Sequence, residues 1–336
     1  MTTFGGRVLV TGADGLIGSH VAALLARRGN DVVGTTFRGD GAPVPAASAV
    51  PLRRVDVTRP ATLSGLCAGV GAVVHCAAVI SVRPGRRRVV WVTNTRGTAN
   101  VLAEAARAGV GRVVLVSSVS VYGRPDNLPV SETHPYGPAS AYARSKVWAE
   151  QRFRSACRRG DFEGVIVRPS FTYGPGDRRT LPLFGLAASG RLPIVGSGRT
   201  PFHGGYVIDI AAGIAAALDR GCGRDPRAYH LAGPDVTTTA SFLTTVARAA
   251  GRRPPRRVPP VVGIGAAVVG QFIGLFTGER MPFDFTTLSF LTQSEHWDIS
   301  EARRRLGFEP KVGVEEGIRR TVDWYSRHRW FRKSRS

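Results

Sequence analysis

The stretch RVLVTGADGLIGSHVAALLARRG, Arg7–Gly29, decides the fold. An apolar run ends in three glycines at a G-x-x-G-x-x-G spacing, Gly12, Gly15 and Gly18, and passes directly into an amphipathic segment. That order is strand, tight turn, helix. Glycines there permit a sharp reversal and let the backbone approach a pyrophosphate, whose charge meets the helix N-terminus. The predicted cradle comprises Gly12, Gly15, Leu16, Ile17 and Gly18.

The same rhythm continues outward. DVVGTTF, AVVHCAA, RVVLVSS and EGVIVRPS read as short apolar strands, separated by the helical patterns TRGTANVLAEAARAG and SAYARSKVWAEQRFRSAC. Continuous apolar strands alternating with amphipathic helices predict a parallel sheet covered on both faces. The predicted fold class is α/β, a doubly wound Rossmann-type sheet over residues 1–168 with a smaller C-terminal α/β lobe. Residues 169–330, punctuated by Gly and Pro as in LPIVGSGRTPFHGG and GRRPPRRVPP, are predicted to form mainly that substrate-binding lobe. A segment near 203–220 returns to the sheet, and 331–336 is a basic tail. There are no internal repeats.

Composition narrows the function classes. With 336 residues, 43% of them hydrophobic, the chain can bury one large or two modest cores. The formal charge of +22 comes mainly from arginines scattered along the chain. Clusters at Arg86–Arg88, Arg252–Arg257 and Arg327–Arg335 belong to no recognisable binding motif, so no nucleic-acid partner is expected. Cys67, Cys76, Cys157 and Cys222 form no C-x-x-C pair and have no histidine at ligand spacing, which argues for a reducing cytoplasm and against a metal site. The N-terminus lacks a signal-peptide pattern. Val261 to Phe276 is an apolar run of sixteen residues, short of the roughly twenty that span a bilayer; it is read as a helix packed in the small lobe, and membrane contact is not expected.

Only three lysines occur among 46 basic residues of the Lys and Arg type. One of them, Lys146, lies four residues after Tyr142 in YARSK, on the same helical face. A phenol is a weak base at neutral pH, and a neighbouring ammonium favours the phenolate. A compact ammonium can also hold ribose hydroxyls where a planar guanidinium fits less well. Upstream, Ser117 and Ser118 end an apolar strand, the edge of an open parallel sheet at which ligands bind. At the end of the second strand a carboxylate would read a free ribose; Thr35, Thr36 and Arg38 stand there instead, so NADP(H) is preferred and NAD(H) is the alternative.

These motifs, together with DVT at Asp56, HCAA at His75 to Ala78, NTRGTAN at Asn94, RPSFTYGPGD, YVIDIAAGI and the terminal ISEARRRLGFEPKVGVEEGIRRTVDWY, make the chain resemble the extended short-chain dehydrogenase/reductase family over nearly its whole length. The resemblance implies a catalytic Ser118, Tyr142 and Lys146, the serine being the one four residues before Tyr122. It further implies cofactor contacts from Asp56, Val57, Ala77, Ala78, Asn94 and Pro169. Dehydratases of the family carry an Asp-Glu pair where Val119 and Ser120 stand here. Epimerases carry an Asn and an Arg, which touch the sugar diphosphate, where Phe171 and Phe202 stand here. The pattern is closer to the 3β-hydroxysteroid dehydrogenase and dihydroflavonol reductase branches. The resulting expectation is reversible ketone reduction on a small, fairly apolar metabolite. Ser81, Phe171, Tyr173, Phe202 and the loop from Ser81 to Trp91 are the candidate substrate contacts beside Ser118. The alternatives are a sugar-nucleotide epimerase or ketoreductase using NAD(H), and a cofactor-bound sensor without turnover. A homodimer is common in the family.

Overall fold

The computed structural model describes residues 3–37, 50–80, 84–190, 192–277 and 285–333. Arg38 and Ser81 lie outside them. The chain divides into two compact units: Met1–Thr172 with Val207–Ala232 and Trp297–Pro310, and Tyr173–Tyr206 with Gly233–His296 and Lys311–Ser336.

The first unit is built on β1 (Arg7–Thr11), β2 (Asp31–Thr36), β3 (Leu52–Arg54), β4 (Ala72–His75), β5 (Arg112–Val116) and β6 (Glu163–Pro169), with a further strand at Ala228–Leu231. The longer helices of the chain are α1 (Leu16–Arg27), α2 (Arg87–Arg107), α3 (Ala141–Arg158), α4 (Leu181–Ala188), α5 (Val207–Arg220), α6 (Thr239–Ala249), α7 (Pro260–Thr277), α8 (Phe285–Thr292) and α9 (Val314–Arg327). The sheet has seven strands, parallel throughout, in the order Ala228–Leu231, β6, β5, β4, β1, β2, β3. Val8, Leu9 and Val10 are all completely buried, because helices cover both faces and consecutive side chains need apolar surroundings on either side. This is the Rossmann-type sheet that the opening stretch predicts.

Chain order reverses between β1 and β4, which are neighbours although two strands intervene in sequence. A crevice opens at such a reversal, outside the carboxyl ends of the strands. The carboxyl ends of β1, β4, β5 and β6 lead into Gly12, Cys76, Ser117 and Ser170, so one edge of the sheet collects the residues singled out by sequence.

The second unit has an aromatic core. Phe184 on α4 and Phe242 on α6 pack at 5.7 Å between ring centres, and Phe184 packs on Tyr325 of α9 at the same distance. Short ladders complete it, Ile194–Val195 with Arg257–Val258 and Pro201–Phe202 with Thr237–Thr238.

Candidate functional site

The phosphate loop is a close-packed backbone. Gly12 has φ +67, and a Cβ there would lie 2.8 Å from the Ala77 Cα. A Cβ on Gly18 would lie 2.2 Å from the Gly12 carbonyl oxygen, so only glycine lets α1 start this close beneath the turn. The α1 N-cap, Gly15, offers no side-chain hydrogen bond, and the first turn carries no acidic residue. A helix N-terminus with neither a capping side chain nor an acid suits an anion.

β1 and β4 are tied together beneath this loop. Thr11 Oγ1 lies 2.7 Å from His75 Nδ1, and His75 Nε2 lies 3.0 Å from Thr98 Oγ1. Thr98 donates its hydroxyl proton to the Asn94 carbonyl, so Nε2 must be the protonated nitrogen and Nδ1 accepts from Thr11. Burial, reinforced by the Lys146 charge, pulls the imidazole down to about 3, and His75 is neutral. Thr11 Oγ1 in turn accepts from the Ala77 amide at 3.2 Å. The HCAA motif is thereby fixed against the glycine loop.

Asn94 and Asp56, expected at the cofactor, spend side-chain groups on the protein. The Asn94 amide pairs with both backbone groups of Val79, at 2.8 and 3.1 Å, and donates to Ser145 at 3.0 Å. Both amide hydrogens are used, so any effect of Asn94 on a dinucleotide passes through the backbone and the helix that it holds. One Asp56 oxygen accepts from the Thr58 amide and hydroxyl, which shapes the turn after β3. Val57 is buried, and its carbonyl accepts from Asn100 at 2.9 Å.

The serine, tyrosine and lysine converge on the end of β5. Side chains alternate across a strand, and the two serines show it. Ser117 is buried and donates to Glu150 at 2.6 Å, whereas Ser118 is half-buried on the opposite side, its Oγ accepting from the Ser120 amide at 3.2 Å. Ser140 caps α3 by accepting from the Ala143 amide at 3.0 Å, which starts the helix just before Tyr142. Lys146 follows one turn later, 6% exposed, with Nζ donating to the Val116 carbonyl at 2.7 Å and lying 5.8 Å from the centre of the Tyr142 ring. Burial pulls the ammonium down to about 8.

Behind this edge lies a buried ion pair. Arg168, on β6, donates Nε and Nη2 to the two oxygens of Glu150 at 2.9 and 2.6 Å, and Nη1 to Tyr122 at 2.5 Å. Tyr136 donates to Glu150 at 2.7 Å, and Tyr122 reaches His230 Nε2 at 2.6 Å. Burial opposes ionisation of Glu150, but Arg168 and the Ser117 and Tyr136 hydroxyls outweigh it and hold the carboxyl below the ordinary range. Glu150 is one turn after Lys146 and Ser117 is next to Ser118, so this pair holds the catalytic candidates in register.

Several expected positions differ. Tyr173 and Phe202 are almost fully buried in the core of the second unit, where the Phe202 ring packs tilted against Phe242 at 4.6 Å between centres and the Tyr173 hydroxyl donates to the Val314 carbonyl at 3.3 Å. They pack against protein, while Phe171 is half-buried in the first unit. Residues 87–91, expected in a loop, form the first turn of α2. Pro169 ends β6, and the next residue brings a hydroxyl the sequence did not single out: Ser170 Oγ is buried without a hydrogen-bond partner, as is Ser120 Oγ. Asp14 was also missed. Thr36, at the end of β2, donates to its carboxylate at 3.0 Å, so the glycine loop brings an acid to the strand end that has none of its own.

The model of the NAD dependent epimerase/dehydratase family matches residues 8–232. The chain belongs to this family. Its curated relatives include the 3-beta-hydroxysteroid dehydrogenase of Mycolicibacterium neoaurum, 27% identical with 96% of this chain and 92% of that protein covered. The dTDP-glucose 4,6-dehydratase of an Actinoplanes strain is 29% identical over 96% and 98% of the two chains. Among solved structures, MoeE5 in complex with UDP-glucose and NAD superposes with a TM-score of 0.75 at 26% identity, covering 96% of this chain and 99% of that one. The protein is thus an enzyme of the extended short-chain dehydrogenase/reductase type, in a family whose members divide between dehydrogenation, epimerisation and dehydration.

Proposed function

We propose that the enzyme interconverts a ketone and a secondary alcohol on a small, fairly apolar metabolite, using NADP(H). The carrying observation is the triad at the end of β5, a half-buried Ser118 and Tyr142 with Lys146 buried behind them, followed by a buried Val119 and by Ser120 where a dehydratase needs an acid pair. A nicotinamide bound along the glycine loop would supply the hydride. Ser118 orients the carbonyl oxygen of the substrate. Tyr142 gives its phenolic proton to that oxygen in reduction and takes it back in oxidation. Lys146 stabilises the phenolate and holds the ribose beside it. The half-buried Phe171 and the likeness to a steroid dehydrogenase support the apolar substrate. Thr36 at the end of β2 and Arg38 beyond it support the 2′-phosphate. The same reading places the enzyme in the cytoplasm, as a small-molecule enzyme whose four cysteines are free.

Asp14 favours a second reading. A carboxylate at the end of β2 accepts from ribose hydroxyls and repels a phosphate, which would select NAD(H) and fit an epimerase acting on a sugar nucleotide. Thermal unfolding with NADP(H), NAD(H), UDP and dTDP added separately tests the two, since a ligand of the folded state raises the midpoint. The proposal expects a shift with NADP(H) and none with UDP or dTDP. A shift with NAD(H) together with either diphosphate overturns it in favour of the second reading.

A further inference from the structure

Helix α7 is packed with its small side inward. Gly263, Ala267 and Gly270, on one face by their spacing, are its buried residues among those described. A Cβ on Gly263 would meet Val195 at 2.9 Å, so the backbone itself approaches the unit. The opposite face carries the bulk. Val261 is 73% exposed, Val269 58% and Phe272 60%, with Val262, Ile264, Val268 and Ile273 exposed around them. The sequence predicts this run packed inside the lobe, and the structure turns its large side chains outward. No charged residue interrupts the strip from Val261 to Ile273. Apolar surface of this extent on one helix marks a site that something else covers.

The segment entering α7 supplies the second observation. Arg252, Arg253, Arg256 and Arg257 are all exposed. They are fixed to the same unit, because Arg257–Val258 pairs with Ile194–Val195 and the Ile194 amide donates to the Arg256 carbonyl at 2.9 Å. An apolar strip next to a cluster of anchored cations is complementary to a surface that is apolar within and anionic without.

We propose that α7 and these four arginines dock the enzyme on anionic phospholipid, with the helix lying in the bilayer interface. Among the described residues no helix is long and apolar enough to cross a membrane, so α7 lies on it. A second copy of the chain fits less well. It would cover the apolar strip, but it brings the same net charge of +22 against the arginines. The inference stands on α7 and the arginines that precede it and does not depend on the substrate proposed above.

Co-sedimentation with vesicles tests it, using phosphatidylcholine alone and phosphatidylcholine mixed with an equal part of phosphatidylglycerol, each at low and high salt. The full chain is expected to pellet with the mixed vesicles at low salt and much less with the neutral ones. Val269→Glu with Phe272→Glu should abolish pelleting, and each of Arg252→Ala and Arg253→Ala should weaken it about fivefold. All these side chains are exposed, so unchanged melting shows that the variants remain folded. Failure of the wild type to pellet with mixed vesicles overturns the proposal, as does undiminished pelleting of the Val269/Phe272 variant. A dimer that Val269→Glu dissociates assigns the face to a second copy and also overturns it.

Discussion

Replacing Arg168 by methionine isolates the buried pair behind the site. Glu150 is completely buried and Arg168 is 2% exposed. Methionine removes both guanidinium contacts to Glu150 and leaves the carboxylate with the hydroxyls of Ser117 and Tyr136 at 2.6 and 2.7 Å. Stripping one partner from a buried ion pair costs about 3 to 5 kcal/mol, because an uncompensated charge stays behind. At roughly 2 to 4 °C per kcal/mol for a unit of this size, the midpoint should fall by about 6 to 20 °C. The pH dependence fixes the cause. In the wild type the Glu150 carboxyl is held below its ordinary value, so its contribution is complete above the unfolded value near pH 4.5 and is lost as pH falls through the lower folded value. In the variant burial acts without the guanidinium and raises the carboxyl, so the penalty is present at neutral pH and disappears on acidification. The deficit measured by circular dichroism should therefore narrow between pH 7 and about pH 4.5. Adding Glu150→Leu should recover most of the loss, since no buried charge remains. A loss below about 1 kcal/mol, or a deficit that does not change with pH, would refute the assignment of this pair as a buried, ionised clamp.

Lys146→Met should abolish turnover yet alter stability in the opposite sense with pH. The lysine is held at about 8, below its unfolded value, so its penalty is complete below pH 8 and is relieved as pH rises toward 10. Relative to the variant, the cofactor-free wild type should gain stability over that range; parallel curves would contradict the burial argument. Tyr142→Phe should lower kcat by about 10²- to 10⁴-fold with the cofactor-induced thermal shift intact, and loss of that shift would mean that the phenol serves binding rather than proton transfer. Gly18→Ala places a methyl group against the Gly12 carbonyl and should remove the cofactor-induced shift; a retained shift would place the dinucleotide elsewhere.

The sheet was legible because its strands are buried on both faces and read as unbroken apolar runs, as in Val8 to Val10. Tyr142 and Lys146 were legible because helical spacing is short-range. What sequence left undecided is long-range. The two serines at the end of β5 look alike to strand periodicity, and the family resemblance alone singles out Ser118; the physical reason appears only when Glu150, 33 residues on, takes the hydroxyl of Ser117. Asp14 is one residue of a glycine loop until Thr36 meets it from 22 residues away. Asn94 has the chemistry of a ligand contact, and only its pairing with Val79 and Ser145 shows that the amide is occupied. Tyr173 and Phe202 differ from pocket-lining aromatics in nothing but the rings around them. The orientation of α7 was hidden for a different reason: its inward and outward faces are both apolar, so hydrophobic periodicity has little contrast to display.

The way the chain threads its two units limits how such an enzyme can be rebuilt. Every residue proposed for chemistry belongs to the first unit, yet that unit is completed by Val207–Ala232 and Trp297–Pro310. A fragment ending at Thr172 would lack the strand Ala228–Leu231, leaving β6 as a bare edge and Tyr122 without His230. The first unit is therefore not a detachable module, and exchanging the second unit between relatives demands matched junctions at each crossing of the chain, not a single point of fusion.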